Sequence, residues 1–109
     1  MITYIVVVTY NRCDLLKKNI HALRTQTYEY DKLVIVNNNS TDNTEAYLNT
    51  ISDPKIAVLH NKVNSGGAGG FAVGMEYAFK AGADFVWMMD DDALPMSNAL
   101  EELMNHATP

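Results

Sequence analysis

Three consecutive carboxylates, Asp90-Asp91-Asp92, end an apolar run that starts at Asp84 and reads Phe85-Val86-Trp87-Met88-Met89. Adjacent carboxylates repel one another and resist desolvation unless a cation neutralises them. In extended chain Asp90 and Asp92 project to one side and Asp91 to the other. Asp90 and Asp92 are therefore candidate ligands of one hard divalent cation, Mg²⁺ or Mn²⁺, which takes oxygen donors and shares its coordination with phosphates. A solvated acidic turn would need no cation, but the residues leading into this one read as buried.

Three other segments carry chemistry-capable groups. Thr9-Tyr10-Asn11-Arg12 follows the first apolar run and combines a hydroxyl, a ring, an amide and a guanidinium. Such a set could stack on a base and hydrogen-bond a ribose or phosphate; equally, Asn11 could cap the next helix. Asn37-Asn38-Asn39-Ser40-Thr41-Asp42 follows the second run. Its amides at Asn37 and Asn38 offer donors and acceptors to a nucleobase edge, although such residues also make ordinary turns. Asn64-Ser65-Gly66-Gly67-Ala68-Gly69-Gly70-Phe71 packs four glycines into five positions. Glycines are costly to order, and one use that offsets the cost is close approach of backbone N–H groups to a phosphate at a helix N-terminus. Gly66, Gly67 and Gly69, with Asn64, are the candidates there; a tight turn with close helix packing is the other reading, and Gly74 fits it too. The spacing matches neither a P-loop nor a dinucleotide fingerprint.

The elements that would position these segments are legible as alternating patterns. Continuous apolar runs over Ile2–Thr9, Lys32–Val36, Lys55–His60 and Asp84–Met89 read as strands covered on both faces. Leu16, Ile20 and Leu23 share one helical face. Asp42 and Glu45 have capping-box spacing ahead of Leu48 and Ile51. Ala68, Phe71, Met75 and Ala78 form the stripe expected to face the core in a third helix, with Gly82 as its stop. A fourth helix is expected from Ser97 or Asn98, burying Leu100, Leu103 and Met104. Strand and helix in strict alternation predict an α/β fold, a Rossmann-like three-layer α/β/α arrangement on a parallel sheet. Ligands of such sheets sit beyond the carboxyl ends of the strands, where most of these residues fall.

Composition bounds the partners. The chain has 109 residues, 48% of them apolar, and a net charge of −5 with eight scattered basic residues, which excludes a general nucleic-acid binder. One cysteine, Cys13, allows no internal disulfide and suits a reducing compartment. No stretch has the length of a transmembrane segment, and no signal peptide is legible. The expectation is a cytoplasmic protein, with membrane association left open for a longer chain. His21, His60 and His106 lack metal-ligand spacing with each other or with Cys13.

Taken together, in their order along the chain, the four post-strand segments resemble glycosyltransferase family 2, whose fold type is called GT-A. Thr9-Tyr10-Asn11-Arg12 is similar to the family's opening nucleotide-contacting segment, and Val36 to Asp42 to its Val-Asp-Asn/Asp-Gly-Ser-Thr-Asp motif. Asp90-Asp91-Asp92 looks like its Asp-x-Asp motif. The Asn64–Phe71 and Trp87–Pro95 segments look most like the branch containing galactofuranosyl- and rhamnosyltransferases. The resemblance covers essentially the whole chain. It implies an inverting enzyme that uses Mg²⁺ or Mn²⁺ to transfer sugar from a UDP- or dTDP-sugar to a glycan or other hydroxyl acceptor, in bacterial cell-surface polysaccharide synthesis. It further implies that Asp90 and Asp92 hold the ion, with Asp92 the more direct ligand, that Asp90 and Asp91 border the nucleotide sugar, and that Tyr10, Asn11 and Asn38 seat the base. Family members usually continue past the Asp-x-Asp with a general base and an acceptor groove, so residues 1–109 are expected to be the N-terminal, nucleotide-sugar-binding part of a longer domain.

This chain departs from the pattern at Asn37, where the family usually has Asp, at Asn39, where it usually has Gly, and at Val73, where related sequences often carry Arg. Two other readings stand beside the resemblance. A nucleotidyltransferase would want a glycine-rich basic loop after the first strand, and a receiver-like, non-catalytic metal-binding module would want acidic residues there.

Overall fold

The computed structural model describes residues 1–106. Strands β1 (Thr3–Thr9), β2 (Lys32–Asn37), β3 (Ile56–His60) and β4 (Phe85–Asp90) alternate with helices α1 (Cys13–Arg24), α2 (Thr44–Leu48), α3 (Gly66–Lys80) and α4 (Ala99–His106). All strand pairs are parallel, in the order β3-β2-β1-β4. Each expected strand falls within one residue of its observed bounds. The reason is visible in β1, buried along its whole length. A strand covered on both faces carries an unbroken apolar signal.

Side-chain alternation divides the core in two. Ile5, Val7, Leu33, Ile35 and Met89 face α1, α2 and α4, where Leu16, Ile20, Leu23, Leu48 and Leu100 fill the layer. Tyr4, Val6, Val8, Val34 and Val36 face α3. Helices on both sides of a parallel sheet make the expected three-layer α/β/α fold. Because β1 connects onward to β2 while β4 returns to its other side, the direction of winding reverses at β1, the place where open α/β sheets bind ligands. On that outer flank β4 is only half covered, and Met88 is exposed.

Three helices differ in detail from expectation. In α3 the buried face is Gly70, Gly74 and Ala78, while Ala68 and Met75 are exposed. A Cβ on Gly70 would lie 2.6 Å from Val8 Cγ1, and one on Gly74 would overlap the Val6 side chain. The helix is seated so close to the sheet that only hydrogen fits along its contact line, so the bulky apolar residues move to its flanks, Phe71 and Val73 among them. Gly82, at φ +85°, ends the helix as expected. In α2 the capping box does not form: the N-cap is Asn43, without a side-chain bond, and Asp42 instead accepts from Thr44 N at 2.9 Å. In α4 Leu100 is fully buried and Met104 packs against the core, but Leu103 is exposed. Positions 100 and 104 lie on one face, and position 103 falls to its edge. Among the described residues, no helix is long and apolar enough to cross a membrane.

Candidate functional site

Register brings the ends of the strands level. Thr9 pairs with Asn37, Asn37 with His60, and Val8 with Asp90. Beyond this edge lies a cavity of about 410 Å³ lined by Thr9, Tyr10, Arg12, Asn38, Asn64, Gly66, Gly67, Asp90, Asp91 and Asp92. The fold thus gathers ten of the sequence candidates into one space. Asn11, Asn37 and Gly69 lie outside its lining, and each has a structural task.

Asn11 sits in the left-handed region at φ +51°, a conformation that Asn tolerates better than most residues. Its Oδ1 accepts from Thr41 N at 2.7 Å and Asp42 N at 3.2 Å, and its Nδ2 donates to Thr41 Oγ1. Asn11 therefore ties the loop after β1 to the loop after β2 and does not cap α1. Asn37 is buried: its Oδ1 accepts from Ser40 N, which turns Nδ2 toward His60 Nδ1 at 3.1 Å. His60 Nδ1 then accepts, so the ring proton sits on Nε2, which donates to Asn49 Oδ1. An aspartate at position 37 would need a proton on Nδ1 instead. Asn39, standing where the resemblance has glycine, is left-handed at φ +61°; the amide keeps the backbone shape that glycine gives at lowest cost. Gly69 faces Ser65, whose Oγ would lie 2.5 Å from a Cβ at that position.

Asn38 borders the cavity yet is only 2% exposed, and both ends of its amide are hydrogen-bonded. Oδ1 accepts from Asn61 Nδ2, Ser65 N and Ser65 Oγ, while Nδ2 donates to Gly66 O at 2.8 Å. The amide latches the end of β2 to the entrance of α3. Asn38→Ala is expected to cost about 2–3 kcal/mol, since it strands buried partners. Hydrogen exchange should show faster opening of residues 61–67, and unchanged protection there would contradict a latch.

The acidic end differs from strand geometry. Alternation stops at Asp90, because Ala93 N donates to Asp90 O at 3.2 Å and closes a turn. Asp91 is 3% exposed, and Thr9 Oγ1 donates to its Oδ2 at 2.8 Å. Arg12 Nη1 stands 3.4 Å from Asp91 Oδ1 and 3.7 Å from Asp92 Oδ2. Burial raises the Asp91 carboxyl above its ordinary range; the Thr9 hydroxyl, the Arg12 charge and the Tyr10 backbone oppose that only in part. An acid whose folded pKa is raised makes the fold more stable as pH falls through that pKa, and the gain saturates below the unfolded pKa. Asp91→Asn is thus expected to be at least as stable as the native chain at pH 7, and to lose this increment on acidification. Parallel thermal melts of the two proteins between pH 7 and 4 measure the difference.

Among the described residues no three His, Cys, Asp or Glu side chains converge into a ready metal cage. The donor set nevertheless fits a divalent ion that brings phosphate ligands with it. Asp90 and Asp92 are exposed oxygen donors on the cavity rim, and the one guanidinium beside them pairs with Asp91 and Asp92.

One positioning residue lies outside the sequence candidates. Asn19, fully buried in α1, donates to Ala93 O at 2.8 Å and holds the loop that follows Asp92. Its signal is a polar residue three positions after Leu16 and four before Leu23, on the helix face that otherwise reads as apolar.

Comparison with known proteins bears on the family and the fold. The galactofuranosyltransferase GlfT1 of Mycobacterium tuberculosis (strain ATCC 25618 / H37Rv) is 40% identical over 90 residues, 82% of this chain and 30% of that protein. The UDP-Glc:alpha-D-GlcNAc-diphosphoundecaprenol beta-1,3-glucosyltransferase WfgD of Escherichia coli is 29% identical over 97 residues, 89% of this chain and 37% of its own length. The crystal structure of S. aureus TarS 1-349 in complex with UDP matches with a TM-score of 0.77 at 25% identity, over 96% of this chain and 31% of that one. The chain therefore spans about a third of the length of these relatives. The family model Glycosyl transferase family 2 matches residues 4–108, nearly the whole sequence. This chain belongs to glycosyl transferase family 2.

Proposed function

We propose that the chain forms the donor-binding part of an inverting, metal-dependent glycosyltransferase. It takes a UDP- or dTDP-sugar, of galactofuranosyl or rhamnosyl type, and serves transfer to a hydroxyl acceptor in bacterial surface-polysaccharide synthesis on the cytoplasmic side. The observation that carries this reading is the convergence of Thr9, Tyr10 and Arg12, the glycine-rich entrance of α3 and Asp90–Asp92 on one cavity at the reversal point of the sheet. The names of the relatives, a galactofuranosyltransferase and a UDP-glucose-using enzyme, and the UDP in the TarS crystal support the donor class.

In this reading Tyr10, 42% exposed at the cavity, stacks on the base. Asn38 fixes the wall against which the nucleotide lies. Asp90 and Asp92 hold Mg²⁺ or Mn²⁺, which when bound supplies Lewis-acid neutralisation of the charge building on the leaving diphosphate. Displacement at the anomeric carbon then needs a carboxylate base for the acceptor hydroxyl, to be supplied from the longer protein.

The glycines sort by task. Gly66 needs its φ of +75°, Gly69 faces Ser65 and Gly70 faces Val8, but a Cβ on Gly67 would meet no protein atom within 4 Å. Gly67 lines the cavity, so its missing side chain leaves room for the ligand. Gly67→Ala is expected to keep or raise stability, by up to about 1 kcal/mol, while weakening nucleotide-sugar binding about tenfold. A thermal-shift series with UDP-, dTDP- and GDP-sugars plus Mn²⁺ reads both effects. Equal shifts in the native protein and in Gly67→Ala would remove Gly67 from the site, and no shift with any nucleotide would contradict the donor-binding reading.

A further inference from the structure

Arg12 holds two carboxylates of unequal standing. Asp91 is buried, is bonded to Thr9 as well, and anchors the guanidinium in a partly desolvated contact at 3.4 Å. Asp92 is a looser partner at 3.7 Å: its side chain is 56% exposed, Arg12's is 52% exposed, and Arg12 is its one ion-pair partner among the described residues. An exposed pair of this kind is worth little, so Arg12 can leave Asp92 at small cost while keeping Asp91. Its position is nevertheless fixed by the backbone. Asn11, left-handed and bonded to Thr41 and Asp42, sets the corner from which Arg12 reaches the acidic turn. Arg12 also lines the same cavity as Gly66 and Gly67, within the space available to a diphosphate.

We propose that Arg12 is an internal counter-ion that competes with the divalent cation for Asp92, and that a nucleoside diphosphate resolves the competition by taking the guanidinium. This deepens the donor-site reading and rests on it. Arg12 carries a charge of the same sign as the cation, so in the absence of nucleotide it opposes cation binding at Asp92 through both contact and repulsion. A guanidinium recognises phosphate oxygens by paired hydrogen bonds. Once the diphosphate engages Arg12, Asp92 is released, and the added negative charge satisfies both cations. Cation and nucleotide therefore bind with positive coupling, and linkage requires each to tighten the other by the same factor.

Electron paramagnetic resonance titration of free Mn²⁺ tests this on the native chain, Arg12→Gln and Arg12→Lys, each with and without saturating UDP. Without UDP, Arg12→Gln should bind Mn²⁺ about three- to fivefold more tightly than the native chain, the ceiling for a half-exposed pair. Arg12→Lys, which keeps the charge but not the planar fork, should fall between them. With UDP the native chain should gain Mn²⁺ affinity by a larger factor than Arg12→Gln does. Mn²⁺ affinity in Arg12→Gln equal to or below native without UDP, or an equal UDP-induced gain in both, would overturn the competition while leaving the metal site standing. Absence of Mn²⁺ binding by the native chain even with UDP would overturn the metal reading and the competition together. Arg12→Lys gives the same contrast if loss of the charge beside Asp91 unfolds the Gln variant.

Discussion

Asp92→Asn is expected to weaken Mn²⁺-dependent binding of a nucleoside diphosphate by at least about 100-fold while leaving the protein folded. The binding loss follows from the donor set. With no three-ligand cage among the described residues, an ion at this turn depends on two carboxylates and on phosphate oxygens. Removing even an outer partner of a metal ligand costs about 10–100-fold, and Asp92 is assigned as a direct ligand. The tolerance of the fold follows from exposure. The Asp92 side chain is 56% exposed and its ion pair with Arg12 is 3.7 Å long, so its loss should change stability by less than about 1 kcal/mol. The adjacent Asp91, 3% exposed and bonded to Thr9, belongs to the turn itself, so Asp91→Asn should keep most of the Mn²⁺-dependent binding. Exchanged roles for the two aspartates in a paired stability and Mn²⁺-binding measurement would contradict the assignment.

Gly74→Ala is expected to destabilise the fold by about 2 kcal/mol, with a fall in melting temperature of about 10 °C. Alanine is the better helix former by about 1 kcal/mol, so on propensity alone the substitution would stabilise. Packing decides otherwise. The new methyl group would overlap the Val6 side chain and stand 3.3 Å from Val36 Cγ2. Both valines are fully buried in the central strands, and their branched side chains have little rotamer freedom with which to yield. Helix α3 would have to lift off the sheet, and its N-terminus carries Gly66 and Gly67 into the cavity. Nucleotide affinity should therefore fall together with stability. Gly67→Ala makes the contrast: the same change nearer the start of the helix, with no protein atom within 4 Å, should weaken binding without destabilising the fold. Equal melting temperatures for the native protein and Gly74→Ala would mean that α3 is not held at this distance.

Much of the fold is legible because its signals are local. A strand such as Ile5-Val6-Val7-Val8 is apolar on both faces since both faces are covered, and the face of α1 repeats at helical spacing. The stripe of α3 departs from expectation for a physical reason. Where a helix makes its closest approach to a sheet, the inward residues are the smallest ones, and Gly70 and Gly74 carry no hydrophobic signal. The site is legible in its membership, since the carboxyl edge of a parallel sheet gathers whatever follows each strand, but less so in its detail. That Asn38 turns Oδ1 to Ser65 and Asn61 and Nδ2 to Gly66 depends on where α3 lands. That Asp91 is the buried carboxylate depends on the turn that begins at Asp90. Alternation cannot be extended through that turn. Asn19 is within reach of the sequence, as a polar residue on an apolar helical face, and its partner Ala93 is not.

We propose that the four strand ends build one metal-dependent nucleotide site. Calorimetric titration of UDP and dTDP into the native chain, with Mn²⁺ present and again after EDTA, addresses it most directly. Saturable binding of one of these nucleotides is expected with Mn²⁺, lost with EDTA and lost in Asp92→Asn. Binding that is indifferent to EDTA and to Asp92→Asn, or no binding to a chain shown to be folded, would contradict it.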